Sequence, residues 1–137
     1  MNGGAVIFAA DVDRVARFYE VLLMMSPVHI EDGLRVIASD RTELVIHQIP
    51  PHLLEPVITA DAAPGELAAA PAPREDTAIK PFFVIPSLDK AREMAPLLGG
   101  YLFPADREFA ARRFRACNAC DPEGNVIQFR ELFVTPT

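Results

Sequence analysis

The same order of secondary-structure signals occurs twice along these 137 residues. In the first half, the apolar run "GAVIFAA" precedes "DVDRVARFYEVLLMM", after which come "LRVIAS", a turn at 40–42 and "ELVIHQI". The runs of apolar residues predict strands, and the last two predict an antiparallel pair. Val15, Phe18, Tyr19 and Leu22 have the spacing of one helical face. Asp11 is suited to cap that helix.

The second half repeats this order with different residues. "KPFFVIP" predicts a strand, and "SLDKAREMAPLLGG" predicts a helix with Ser87 as its N-cap. "YLFP", "RFRACNAC" and "NVIQFREL" then predict three strands. Pro96 removes a helical hydrogen bond, so we expect this helix to be short or bent. The sequence therefore predicts two βαβββ modules of the α+β class, which bury a surface together.

The two modules are predicted to cover residues 4–49 and 79–134 of a single domain, which is the usual number for a chain of this length. Residues 50–78 are rich in proline and alanine and show no clean periodicity. We interpret them as a connector between the modules, with a short helical turn at 65–70.

Charge and composition exclude several classes of function. The formal net charge of −6 argues against nucleic-acid binding, because nothing would neutralise a phosphate backbone. No apolar run reaches the roughly 18 residues that span a bilayer, and no signal peptide is recognisable, so we expect a cytoplasmic protein without a membrane partner. Cys117 and Cys120 have a C-x-x-C spacing, but on a strand they point to opposite faces and predict no zinc or redox site.

Two segments resemble the vicinal oxygen chelate superfamily, which includes glyoxalase I, bleomycin-resistance proteins and extradiol dioxygenases. "AADVDRVARFYEVLL" is similar to its first strand-to-helix passage, and "DPEGNVIQF" to its closing turn and strand. The resemblance implies paired modules whose sheets curl into a cup, with helices outside, and a homodimer. In enzymatic members it also implies a divalent metal in the cup, held by His and Glu.

The metal-ligand positions of the family carry different residues here. The two positions that open the modules are Gly4, which has no side chain, and Lys80, which would repel a divalent cation. The usual closing Glu is Gln128, whose neutral amide is a poor metal ligand. The remaining position is either Glu43 or His47, and the register leaves both open. We therefore expect no metal and no cofactor.

Strand alternation and the resemblance together predict an apolar pocket with a few polar groups, which is typical of a small-molecule site. The predicted ligand-binding residues are Phe8, Glu43, His47, Phe82, Gln128 and Arg130. No catalytic residue is assigned.

The preferred functional interpretation is a metal-free protein that sequesters a small molecule, and the net charge is compatible with a cationic ligand. The alternative is a lyase, isomerase or dioxygenase-type enzyme with a degenerate or relocated metal site, using Glu43 or His47 as general base. A scaffold without a pocket is the third interpretation.

Overall fold

The structure, a computed structural model, describes residues 1–53 and 71–133 of the chain. The chain divides into two compact units, Met1–Ala69 (unit one) and Ala70–Thr137 (unit two). The helical turn predicted at 65–70 lies outside the described residues. No helix in the described part of the chain has the length and apolar character needed to cross a membrane.

Unit one is a mixed four-stranded sheet with one helix, in the strand order β1-β4-β3-β2. β1 and β4 are parallel, while β3 is antiparallel to both β4 and β2. Its elements are β1 (Gly3–Ala9), α1 (Val12–Leu23), β2 (Ser26–Glu31), β3 (Leu34–Ala38) and β4 (Thr42–Gln48), followed by a 3₁₀ turn at Pro51–Leu53. This order confirms the predicted βαβββ plan.

Helix α1 follows the amphipathic pattern of its sequence. The side chain of Asp11 accepts a hydrogen bond from the Arg14 N–H at 3.1 Å, which caps the first turn as predicted. The predicted apolar face is buried, and it contacts β3 and β4. Ile37, Leu44 and Ile46 are fully buried in these two strands. Because strand residues alternate, the neighbouring side chains point to the other face of the sheet, which we call the far face of unit one.

Unit two repeats the plan with one additional strand. Its sheet has the order β5-β9-β8-β6, with β7 paired to β8, and among the described strands neither sheet closes on itself. β5 is parallel to β9. The elements are β5 (Phe82–Val84), α2 (Leu88–Met94), β6 (Tyr101–Leu102), β7 (Phe109–Ala111), β8 (Phe114–Cys120) and β9 (Val126–Leu132), with 3₁₀ turns at Ala95–Leu98 and Ala105–Arg107.

The second helix is short, as Pro96 predicts. α2 ends at Met94, and the chain continues as the 3₁₀ turn that contains the proline. Ser87 caps the helix by accepting from the Lys90 N–H at 3.1 Å, and Gly99 stops the turn with φ of 93°. Arg115 lies on the side of the sheet that faces α2, because its Nη2 is 3.3 Å from Oδ1 of Asp89 in that helix. The opposite side is the far face of unit two.

Residues 71–74, at the start of unit two, contact its "DPEGN" turn and Tyr101. The Arg74 N–H donates to the Gly124 carbonyl at 2.8 Å, and the Tyr101 hydroxyl donates to the Pro71 carbonyl at 3.3 Å. Gly124 has φ of +89°, and a Cβ there would overlap with the carbonyl oxygen of Ala72. The glycine is therefore required both by its backbone conformation and by this close approach.

The sequence did not assign residues to two of the short strands, β2 and β7. β2 is exposed along its whole length, contains Pro27 and has an irregular register, so it lacks an alternating apolar signal. β7 is three residues long and is joined to β8 by a turn in which Arg112 has φ of 51°. A run of three residues is too short to show an alternating pattern.

Candidate functional site

The far face of unit one carries exposed apolar side chains beside two titratable groups. Phe8 is 56% exposed, and its ring lies 5.6 Å from the His47 ring between centroids. These residues are directly paired in the β1–β4 register, as are Gly4 and Glu43. His47 Nδ1 lies 2.8 Å from the carbonyl oxygen of Gln48. A carbonyl only accepts, so Nδ1 is the donor and Nε2 of the neutral ring is left as an acceptor.

Glu43 stands two positions before Val45 on the same face of β4 and is half-buried. Within residues 1–53 and 71–133, its carboxylate has no hydrogen bond or ion pair. Phe8, Glu43 and His47, which the sequence assigns to ligand binding, thus share one sheet face of unit one.

The far face of unit two holds Arg130 between two aromatic rings. Its Cζ lies 3.5 Å from the centroid of the Phe82 ring and 4.3 Å from that of Phe114. Its Nε donates to Gln128 Oε1 at 2.7 Å. Gln128 is only 8% exposed, whereas Phe82 is 53% exposed. The three ligand-binding residues predicted in this unit therefore contact one another.

Two further cations lie on or beside this surface. Lys80 Nζ donates to Asn118 Oδ1 at 3.2 Å, and Asn118 is paired with Gln128 in the β8–β9 register. The Cζ of Arg112 lies 5.3 Å from the centroid of the same Phe114 ring that Arg130 contacts. The part of the site in unit two is thus positively charged, although the net charge of the chain is −6.

Three carboxylates of unit two, those of Asp89, Glu108 and Glu131, form ion pairs on the α2 side of its sheet. Glu131 lies 3.2 Å from Arg115 Nη2 and also accepts from the Leu88 N–H at 3.2 Å. Glu108 is 3.1 Å from Arg92 Nη2. These ion pairs connect α2 to the sheet and neutralise the acidic side chains there, so they do not offset the charge of the far face.

The residues at the family's metal-ligand positions do not fit a divalent metal. A Cβ at Gly4 would overlap with the carbonyl oxygen of Glu43, so the β1–β4 pair has no space for any ligand side chain. The oxygen of Gln128 already accepts from a guanidinium, whose charge would repel a metal cation. Across residues 1–53 and 71–133, no group of three or more His, Cys, Asp and Glu residues is arranged to hold a metal ion.

The two cysteines are free, buried and directed to different surroundings, as strand alternation predicts. Cys117 lies on the α2 side, where its thiol contacts Arg92 Nη2 at 3.6 Å. Burial raises the pKa of the Cys117 thiol and raises that of Cys120 to about 11. Burial also raises the pKa of Tyr101 to about 12. The thiols therefore lack the thiolate character that a reactive cysteine needs.

Sequence reasoning missed Phe114, the second ring against Arg130. In the β8–β9 register Ala116 faces Arg130, and Phe114 shares its strand face with Ala116. Strand alternation in the sequence predicts that Phe114 and Ala116 share a face. The position of Arg130 over the Phe114 ring, however, depends on how β8 pairs with β9.

Comparison with known proteins gives matches in structure only. No protein-family model and no curated protein sequence matches the chain. A glyoxalase/bleomycin resistance protein/dioxygenase family enzyme from Burkholderia phytofirmans is similar with a TM-score of 0.64 at 15% identity, over 95% of this chain and 97% of its own. A glyoxalase-related enzyme from Fulvimarina pelagi has a TM-score of 0.61 at 15% identity, over 96% and 87%.

A third solved structure is the fosfomycin resistance protein FosX from Mesorhizobium loti. Its TM-score is 0.58 at 14% identity, and the match covers 98% of this chain and 91% of FosX. These likenesses extend over nearly the whole chain and confirm the fold that the resemblance of the two motifs implies. The chain therefore has the glyoxalase/bleomycin-resistance-like fold of the vicinal oxygen chelate superfamily.

Proposed function

We propose that this protein binds and sequesters a small molecule without a metal or cofactor. The observation that carries the proposal is the cluster of Phe82, Gln128 and Arg130 on the far face of unit two. An exposed aromatic ring beside a positioned polar group is the usual composition of a small-molecule site. The resemblance assigns the same role to Phe8, Glu43 and His47 of unit one. That the protein is a homodimer is a prediction.

The loss of ligand chemistry at Gly4 and Gln128 supports binding over metal-dependent catalysis. Gly4 has no room for a ligand side chain, and the oxygen of Gln128 already accepts a hydrogen bond from the cationic Arg130. Restoring a metal site would require changes in the backbone at β1 and in the Arg130 cluster.

A thermal-shift screen against compounds of several classes tests the proposal, with Phe82→Ala as the diagnostic variant. We expect at least one class to raise the melting temperature. Loss of the Phe82 ring should weaken its binding by about tenfold or more, since a buried aromatic ring contributes about 1.5–3 kcal/mol.

Phe133→Ala is the matched control, because Phe133 is 51% exposed against 53% for Phe82, while the rings that Arg130 contacts in the described residues are those of Phe82 and Phe114. It should bind like the parent protein. If no compound class shifts the melting temperature, or if both variants lose affinity equally, the far face of unit two is not the binding surface.

An enzymatic function is the alternative, and the geometry of His47 favours it. Its Nε2 is free to act as a general base because Nδ1 is engaged by the Gln48 carbonyl. On this alternative, the protein would exchange the proton next to the carbonyl of a small hydroxyketone with solvent deuterium, as followed by NMR. His47→Gln should abolish the exchange, and His29→Gln should preserve it. Equal rates with and without protein would contradict the alternative.

A further inference from the structure

We propose that the ligand carries a carboxylate on an apolar body, and that Arg130 binds the carboxylate. This inference rests on the proposed function and names the class of ligand. Three observations support it. Phe82, Phe114 and Gln128 hold the Arg130 guanidinium in place, no carboxylate of the described residues pairs with it, and the charges beside it are positive.

Arg130 is fixed in position before any ligand arrives. Phe82 and Phe114 contact its guanidinium at 3.5 Å and 4.3 Å, and Gln128 accepts from its Nε at 2.7 Å. A guanidinium has five N–H donors, and the Nε donor is the one that this arrangement uses. No acceptor for Nη1 or Nη2 is present among the described residues. These two nitrogens form the planar fork that matches a carboxylate with two parallel hydrogen bonds.

Arg130 lacks the carboxylate partner that other half-buried arginines of this protein have. Arg35 pairs with Asp13 at 3.1 Å, and Arg92 pairs with Glu108 at 3.1 Å. For Arg130, no Asp or Glu of residues 1–53 and 71–133 lies within ion-pair distance, although it is half-buried. An anion that binds next to a partly desolvated cation is attracted more strongly than it would be by a fully hydrated one.

The neighbouring charges select against a cationic ligand. Arg112 contacts the Phe114 ring, and Lys80 donates to Asn118 beside Gln128. Neither cation has an acidic partner in the described part of the chain. Screening limits surface charges to about 8–10 Å in physiological salt. The local positive charge therefore decides the sign of the ligand here, and the overall charge of −6 does not.

The apolar body of the ligand is inferred from the exposed side chains around this fork. Phe82 and Val84 are each 53% exposed on the same face of β5. Burial of such side chains against a ligand supplies affinity, while the fork supplies orientation. A small inorganic anion would leave this apolar surface uncovered.

Isothermal titration calorimetry with three probes that share one phenyl body tests the inference. Phenylacetate carries a carboxylate, 2-phenylacetamide is its neutral analogue and phenethylamine is a cation. We expect phenylacetate to bind more tightly than the amide, and phenethylamine not to bind. Arg130→Met should weaken phenylacetate by about tenfold or more, because it removes a bidentate charged contact. Arg130→Lys keeps the charge but loses the two parallel donors. Its affinity for phenylacetate should lie between those of the parent protein and Arg130→Met.

Arg107→Met is the matched control, because Arg107 also lies over an aromatic ring, at 5.2 Å from the Phe103 centroid. It removes the same charge and should leave phenylacetate binding unchanged. Circular dichroism establishes that each variant is folded, and Arg130→Lys keeps the test valid if Arg130→Met unfolds.

The outcomes separate this inference from the proposed function. If the amide or the amine binds as well as phenylacetate and Phe82→Ala removes that binding, the binding surface stands and the carboxylate inference fails. If Arg107→Met weakens phenylacetate binding as much as Arg130→Met does, the ligand is attracted by the positive charge of the protein in general and not by Arg130, and the inference also fails. If no probe binds and the compound screen is empty, both proposals fail.

Discussion

Replacing Asp121 with alanine is expected to lower the free energy of unfolding by about 3–5 kcal/mol, because buried donors lose a charged acceptor. Asp121 is fully buried, and its carboxylate organises the turn before β9. Its Oδ1 accepts from the N–H groups of Glu123 at 2.9 Å and Asn125 at 3.0 Å. Its Oδ2 accepts from the Asn125 amide at 2.8 Å. Urea unfolding followed by circular dichroism measures the loss.

Two variants calibrate the Asp121 result. Asp121→Asn keeps an oxygen for the two main-chain donors but places an NH₂ group against the Asn125 amide, so it should be intermediate. Asp106→Ala changes an exposed carboxylate of the same unit and should alter stability by about 0.5 kcal/mol or less. Asp121→Ala with the stability of Asp106→Ala would mean that this turn does not depend on the buried carboxylate.

Replacing Gly4 with alanine is expected to cost about 2–3 kcal/mol, the range found for overpacking a well-fitted site. The new Cβ would overlap with a main-chain oxygen, that of Glu43, and a backbone atom cannot move aside as a flexible side chain can. β1 would have to shift relative to β4. Urea unfolding again measures the change in free energy.

Gly3→Ala provides the control for Gly4→Ala, because a Cβ at Gly3 would meet nothing within 4 Å. The Gly3 variant should keep the parent stability within about 0.5 kcal/mol. Equal stabilities of the two variants would show that the strands can separate at Gly4. In that case a ligand side chain could be introduced there, and the argument against a metal at this position would be lost.

The far face of unit two also changes what the acidic composition implies. The sequence charge is compatible with a cationic ligand, but Lys80, Arg112 and Arg130 lie on the surface where the ligand is expected. The carboxylates Glu108 and Glu131 are paired on the α2 side. Average charge therefore describes the whole surface and gives no information about the sign of one site.

The sequence by itself determined the elements and their order. The spacing of Val15, Phe18 and Tyr19 predicts α1, and Pro96 predicts a short α2, because helical periodicity and backbone sterics act over a few residues. The structure confirms both. The change of metal-ligand residues at Gly4 and Gln128 was also readable, since it concerns the chemistry of single side chains.

Only the tertiary structure decided how those residues interact. That Gly4 faces the Glu43 carbonyl depends on the register of β1 against β4. That Arg130 lies against both Phe82 and Phe114 depends on the pairing of β9 with β8 and with β5, and β5 is distant from the other two strands in the chain. Strand pairing and ion pairing are long-range, whereas sequence patterns report the local conformation and the face on which a residue lies. The sequence therefore predicted the residues of the candidate site, and the tertiary structure determined its charge and its contacts.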